Sequence, residues 1–287
     1  LSGSGLDFPL KYPSEKEGMI IDEGSGISWN FGNYMVYADI PGKFMEETGR
    51  EEWKATVGAI HNMRSERTID GVVVVVSAES IMKTEARSIK ATGGSLRNRL
   101  DELIYAWGIE FPVYLIISKS DKIPGFKEIF HNPAGKWDEQ LLGATLSEDQ
   151  QRCLPRQAFL EEFEFLLASL YDMRLRMLAK EKNEEKRRLI CRFVIHFEGL
   201  QQKLGNLIAE LFKPSSYEGK PVFRGFYFTS CNSITPTSNM VDSSIFGGIS
   251  RSLVDHPLNP NKMTNIKGHH SPMKKIINVN SFFTHSL

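Results

Sequence analysis

The stretch Asp70-Gly71-Val72-Val73-Val74-Val75-Val76-Ser77 holds five consecutive valines with no polar residue among them. β-Branched side chains fit the pleated strand, and a run without polar alternation predicts a strand covered on both faces, as in a parallel sheet flanked by helices. A second such run follows at Val113-Tyr114-Leu115-Ile116-Ile117-Ser118. Between them Leu96, Leu100, Leu103, Ile104 and Trp107 recur at helical spacing, and Gly108 supplies a stop. Strand, helix, strand is a crossover unit, so the fold class is α/β, a three-layer sheet with helices on its faces. Further strands are predicted at Asn33–Asp39 and Phe223–Thr229, all in one open sheet.

From Pro155 to Phe212 the period becomes helical. Phe159, Phe163, Leu166, Leu167, Leu170 and Leu175 suit one long helix, and Leu189, Phe193, Phe197, Leu200, Leu204, Leu207, Ile208 and Leu211 suit another. The charged run Ala179–Arg188 between them predicts a solvated helix face or turn. The expected organisation is an α/β core over 1–150, a helical insertion over 151–213, the last core strand and its loop over 214–232, and an irregular connector over 233–287. A short helix is predicted at Met240–Val254 in that connector.

The 287 residues carry 35 basic and 35 acidic side chains, which removes bulk charge as a motive for binding nucleic acid. Cys153, Cys191 and Cys231 form no CxxC pair, which argues against a disulfide framework or a cysteine zinc site and favours a reducing compartment. Neither apolar run, Val72–Val76 or Val113–Ile117, approaches the roughly 20 residues that cross a bilayer. The chain opens at Leu1-Ser2-Gly3-Ser4-Gly5 without methionine or a basic leader, as expected of a piece of a larger protein. His269-His270 is expected in a loop, His196 packed or half-exposed on a helix, and the tryptophans at 29, 53, 107 and 137 in core or edge packing.

Three patterns could carry chemistry, each at the C-terminal end of a predicted strand, where ligands bind in open α/β sheets. Asp39-Ile40-Pro41-Gly42 offers a carboxylate for a magnesium-bound water and a glycine amide for a γ-phosphate. Ser118-Lys119-Ser120-Asp121 offers a lysine to lie along a purine and a carboxylate to accept hydrogen bonds from a guanine edge. Thr229-Ser230-Cys231 offers a small-residue loop to support a base. No G-x-x-x-x-G-K-[ST] phosphate loop occurs anywhere; it was either removed with upstream sequence or never present.

The string resembles the cytoplasmic domain of the IcmF/TssM family of bacterial type VI secretion. The carriers are Ser4-Gly-Leu-Asp-Phe-Pro-Leu10, Trp29-Asn-Phe31, Asp39-Ile-Pro-Gly42, Asp70–Ser77, Leu96-Arg-Asn-Arg-Leu-Asp-Glu-Leu103, Pro112–Asp121, Pro124-Gly-Phe126, Phe223–Ser230 and Ser281-Phe-Phe283. The resemblance implies a G-protein-like (P-loop NTPase-like) fold with its first strand and phosphate loop truncated, in the cytoplasmic domain of an inner-membrane protein. It further implies scaffolding of a trans-envelope complex with a small TssL-like inner-membrane partner and a TssJ-like outer-membrane lipoprotein, onto which the baseplate and tail dock. Carried over by position, Asp39 would hold magnesium through water, Gly42 would sense the γ-phosphate, Lys119 and Asp121 would select guanine, and Ser230 would support the base loop. Pro41 replaces the usual small residue, and Lys43 stands where many GTPases place a water-orienting glutamine. Hydrolysis is expected to be slow or absent, and no cofactor is expected in this fragment, with GTP and magnesium reserved for a full-length protein.

Overall fold

A computed structural model describes residues 21–22, 28–31, 36–63, 69–130, 141–214, 220–230 and 276–277. Three antiparallel strands, β1 (Ile21–Asp22), β2 (Ser28–Phe31) and β3 (Val36–Asp39), form one sheet. A second sheet holds β4 (Val72–Ser77), β5 (Pro112–Ser118), β7 (Val222–Phe228), β6 (Leu141–Thr145) and β8 (Ile276–Ile277), in that order. The pairs β4–β5 and β5–β7 are parallel, whereas β6 runs antiparallel to β7 and to β8. Two expectations are corrected: the strands divide between two sheets rather than one, and the main sheet is mixed.

The helices are α1 (Arg50–Met63), α2 (Ala78–Lys83), α3 (Ala86–Trp107), α4 (Phe126–Phe130), α5 (Glu148–Gln151), α6 (Pro155–Lys180), α7 (Glu184–Glu198) and α8 (Leu200–Leu211). Gly108 ends α3 with φ of +63°, a left-handed conformation that favours glycine. α6 begins on Pro155, whose missing N–H costs nothing in the first turn. The second long helix predicted from the sequence is two helices. α7 stops at Gly199, after which α8 packs on α3 while α7 packs on α4 and α6.

One apolar core runs through both the sheet and these helices. Val74, Val76, Leu115, Ile117, Phe226 and Phe228 face it from the strands, and Leu96, Leu100, Phe159, Phe163, Phe197 and Leu207 face it from the helices. Val75, Tyr114, Ile116 and Tyr227 are buried on the opposite face. Alternation along β4, β5 and β7 therefore buries both faces, which is why Val72–Val76 carries no polar residue.

Half-buried polar contacts join the layers. The Lys203 ammonium on α8 donates to the carbonyls of Ile81, Met82 and Thr84 at 3.0, 2.7 and 3.0 Å, satisfying the C-terminal end of α2. Gly93 on α3 lets α8 come close: a Cβ there would lie 2.8 Å from Glu210 Cβ.

Trp53 and Trp107 are buried as expected, but His196 is exposed on α7. Cys153 is exposed and Cys191 half-buried, both free thiols. The predictions on Met240–Val254, Trp137, Cys231 and His269-His270 fall outside the described residues.

Candidate functional site

The in-register pairs Ser77–Ser118 and Ile117–Phe228 align the C-terminal ends of β4, β5 and β7. Short polar side chains stitch these ends together. Ser118 Oγ donates to the Val76 carbonyl at 3.1 Å and Ser120 Oγ to the Ile117 carbonyl at 3.3 Å. The Thr229 amide donates to the Ile117 carbonyl at 2.8 Å, and the Ser120 amide to the Thr229 carbonyl at 2.9 Å. The last of these bonds brings the loop bearing Lys119 and Asp121 against the strand end bearing Thr229 and Ser230.

Lys119 adopts φ of +56°, a left-handed conformation that a non-glycine residue holds only when its surroundings fix it. The fixing bonds are the Ser120 amide to Thr229 and the Lys122 amide to the Lys119 carbonyl at 3.0 Å. Lys119 is exposed, whereas the Asp121 side chain is 13% exposed with Oδ2 3.6 Å from Lys122 Nζ. Ser230 is buried, and Thr229 Oγ1 is buried without a hydrogen-bond partner among the described residues. Glu79, in the first turn of α2, lies within electrostatic reach of this loop. Its carboxyl is held below the usual range chiefly by the Lys83 hydrogen bond, and further by the charges of Lys119 and Lys122.

Asp39 ends β3 opposite Ser28 and is half-buried. It belongs to the other sheet, so no strand hydrogen bonds join its corner to β4 among the described residues. Gly42 opens a single 3-10 turn, Gly42–Met45, that drops Phe44 fully into the core. Lys43 points away to Glu52, 3.8 Å distant, and rests 5.0 Å over the Phe44 ring.

Arg99, 4% exposed on α3, fastens the segment after Gly42. Its Nε donates to the Phe44 carbonyl at 2.9 Å, one Nη to the Glu46 carbonyl at 3.0 Å and the other to both Glu102 oxygens at 3.1 Å. Gly49 completes the compaction, since a Cβ there would lie 2.5 Å from the Lys43 carbonyl oxygen. Periodicity did not reveal Arg99, because it counts an arginine as a solvent-facing position; the signal available was an arginine beside Leu96 and Leu100 on the apolar stripe.

A cleft of about 510 Å³ lies between α1 and α3, lined by Trp53, Val57, Gly58, Arg99, Glu102 and Tyr105 among others. Among the described residues no group of three His, Cys, Asp or Glu side chains could hold a metal ion. No described helix is long and apolar enough to cross a membrane.

The chain is 29% identical over 241 residues to the "Type VI secretion system component TssM1" of Pseudomonas aeruginosa, an alignment covering 80% of this chain and 22% of that protein. It therefore spans about a fifth of the relative's length. No solved structure matches it. The family model for the IcmF-related N-terminal domain matches residues 46–287, from the turn before α1 through β8, and the chain belongs to that family.

Proposed function

We propose that this chain is the cytoplasmic domain of a type VI secretion membrane-complex protein, acting as a scaffold rather than as a nucleotide-driven switch. Its partners in this reading are a small inner-membrane subunit, an outer-membrane lipoprotein reached through another part of the protein, and the baseplate and tail that dock on the cytoplasmic side. The similarity to TssM1 supports the setting. The body is read as a GTPase-like fold, which the parallel run of β4, β5 and β7 and the polar C-terminal ends of those strands support.

The observation that carries the scaffold reading is the Arg99 clamp. A γ-phosphate sensor works by letting the segment after its glycine order and disorder with the ligand. Here residues 44–46 are fastened to α3 by a buried guanidinium that also holds a carboxylate, so their movement would orphan a buried charge. Tagged chain is expected to retain type VI baseplate subunits without added nucleotide, and the Arg99→Leu variant to lose them. Retention that requires GTP would overturn the reading.

A second reading, a GTP-binding switch, is favoured by one observation: Lys119, Asp121 and Ser230 converge on one rim, where Thr229 Oγ1 is buried without a partner among the described residues. Calorimetric titration with GTP and magnesium tests it. The scaffold reading expects weak or no binding, whereas tight binding abolished by Asp121→Ala would establish the switch.

A further inference from the structure

The rim has two halves, the loop Lys119–Gly125 and the end of β7, and both rest on α7. Gly125 sets the loop against that helix: it has φ of +88°, and a Cβ there would lie 2.0 Å from the Leu189 carbonyl oxygen and 3.0 Å from Phe193 Cβ. α4 follows at once, and its Phe126 and Phe130 rings meet the Phe193 ring edge-on, with centroids 5.9 and 5.5 Å apart. One turn further along α7, the Phe197 ring packs on that of Phe228 at 4.6 Å, directly before Thr229 and Ser230. Phe126, Phe193, Phe197 and Phe228 are all buried.

α7 itself lies at the surface. Ile190, Phe193, Val194 and Phe197 form its buried face, while Glu185, Arg188, Arg192, Ile195 and His196 are exposed. A three-residue connection from α6 precedes it and Gly199 ends it. The loop it holds has a second conformation within reach. Lys119 is left-handed, which is unfavourable for a residue with a Cβ, and the right-handed region is open to it once its neighbours let go. What holds it is the Ser120 amide on the Thr229 carbonyl, the Lys122 and Ile123 amides turned back on Lys119 and Ser120 at 3.0 Å each, and the seat of Gly125 on α7.

We propose that α7 is the latch of the rim. Seated, it keeps Lys119 left-handed and the Lys119–Asp121 loop against Thr229; lifted, it lets the loop relax and the two halves part. A loop with two discrete backbone arrangements, biased by one packed helix, is the physical element such coupling needs. A load on the α6–α7 hairpin is thereby felt at the rim, through Phe193 on one half and Phe197 on the other. The inference goes beyond both readings of the function and requires no ligand at the rim.

Hydrogen exchange of the whole chain without nucleotide, followed at the Ser120 and Lys122 amides, tests it. Phe193→Ala is expected to speed exchange at both at least about 10-fold, together with α7, while residues 44–49 keep their wild-type rates. Arg99→Leu, which loosens residues 44–49, is expected to leave the two rim amides unchanged. Lys119→Gly added to Phe193→Ala is expected to slow them again by about 5-fold or more, because glycine holds a left-handed conformation without steric cost. Lost packing alone would not respond to that change. If circular dichroism shows Phe193→Ala unfolded, Phe193→Leu keeps most of the volume, removes the ring edges and carries the same test with a smaller acceleration. Rim exchange that stays slow while α7 accelerates, that rises equally in Arg99→Leu, or that ignores Lys119→Gly would overturn the proposal. None of these outcomes bears on baseplate retention or on GTP titration, so the readings fall separately.

Discussion

Arg99 Nε lies 2.9 Å from the Phe44 carbonyl oxygen, and this buried bond joins the segment following Gly42 to the helix between β4 and β5. The same guanidinium reaches Glu46 and Glu102, while Arg50 at the start of α1 reaches Glu102 at 3.3 Å. A corner whose strand lies in a separate sheet is thus tied to the core by side-chain chemistry.

Arg99→Leu strands two backbone carbonyls and the half-buried Glu102 carboxylate. A loss of about 3–5 kcal/mol in unfolding free energy is expected, read by denaturant titration. Arg99→Lys recovers only part of it, because an ammonium lacks the planar fork that serves three acceptors at once. Hydrogen exchange at residues 44–49 is expected to accelerate in both variants.

Two glycines predict opposite outcomes. Gly125 has φ of +88°, and a Cβ there would lie 2.0 Å from the Leu189 carbonyl oxygen on α7. Gly125→Ala is expected to cost about 3 kcal/mol or more and to loosen the docking of α7 beside the Lys119–Asp121 loop. Gly58 lies within α1, where an added Cβ meets nothing within 4 Å. Gly58→Ala is expected to stabilise by about 0.5–1 kcal/mol. Thermal melts of the two variants side by side decide both.

Much of the main sheet was legible because its signal is local. Val72–Val76 and Val113–Ile117 could not be amphipathic, and Gly108 could hardly be anything but a stop. The hidden features lack such a signal. Leu141–Thr145 is short, contains Gly143 and has one β-branched residue, so strand propensity does not mark β6. The break at Gly199 is invisible because Phe193, Phe197, Leu200, Leu204 and Leu207 keep their spacing of threes and fours while the axis turns between partners. Which strand pairs with which is a long-range choice, so the separation of β3 from β4 could not be read from either. At the rim the residue types of Lys119, Asp121 and Ser230 were visible, but the Ser120–Thr229 bond that brings their loops together was not.

Lys203→Met removes the donor that serves three carbonyls at the end of α2. A loss of about 2 kcal/mol is expected from chemical denaturation, since a bond involving a charged donor is worth more than a neutral one.

The Tyr227 hydroxyl, buried on the second face of the sheet beside Thr145, has its pKa pushed up to about 12 by burial. The unfolded phenol ionises near 10, so the folded state holds its proton more tightly. Stability from this group is complete below pH 10 and is lost as pH rises toward 12, a difference on the order of 2 kcal/mol. Tyr227→Phe is expected to flatten that alkaline decline, measured by urea titrations across the window.

The central claim is that this domain serves secretion through its clamped architecture and not through nucleotide turnover. The direct measurement is type VI-dependent secretion by a strain lacking its own copy and supplied with full-length protein as wild type, Asp121→Ala or Arg99→Leu, at matched expression. The account predicts secretion near the wild-type level for Asp121→Ala and its loss for Arg99→Leu. Abolished secretion by a stably folded Asp121→Ala protein would contradict it.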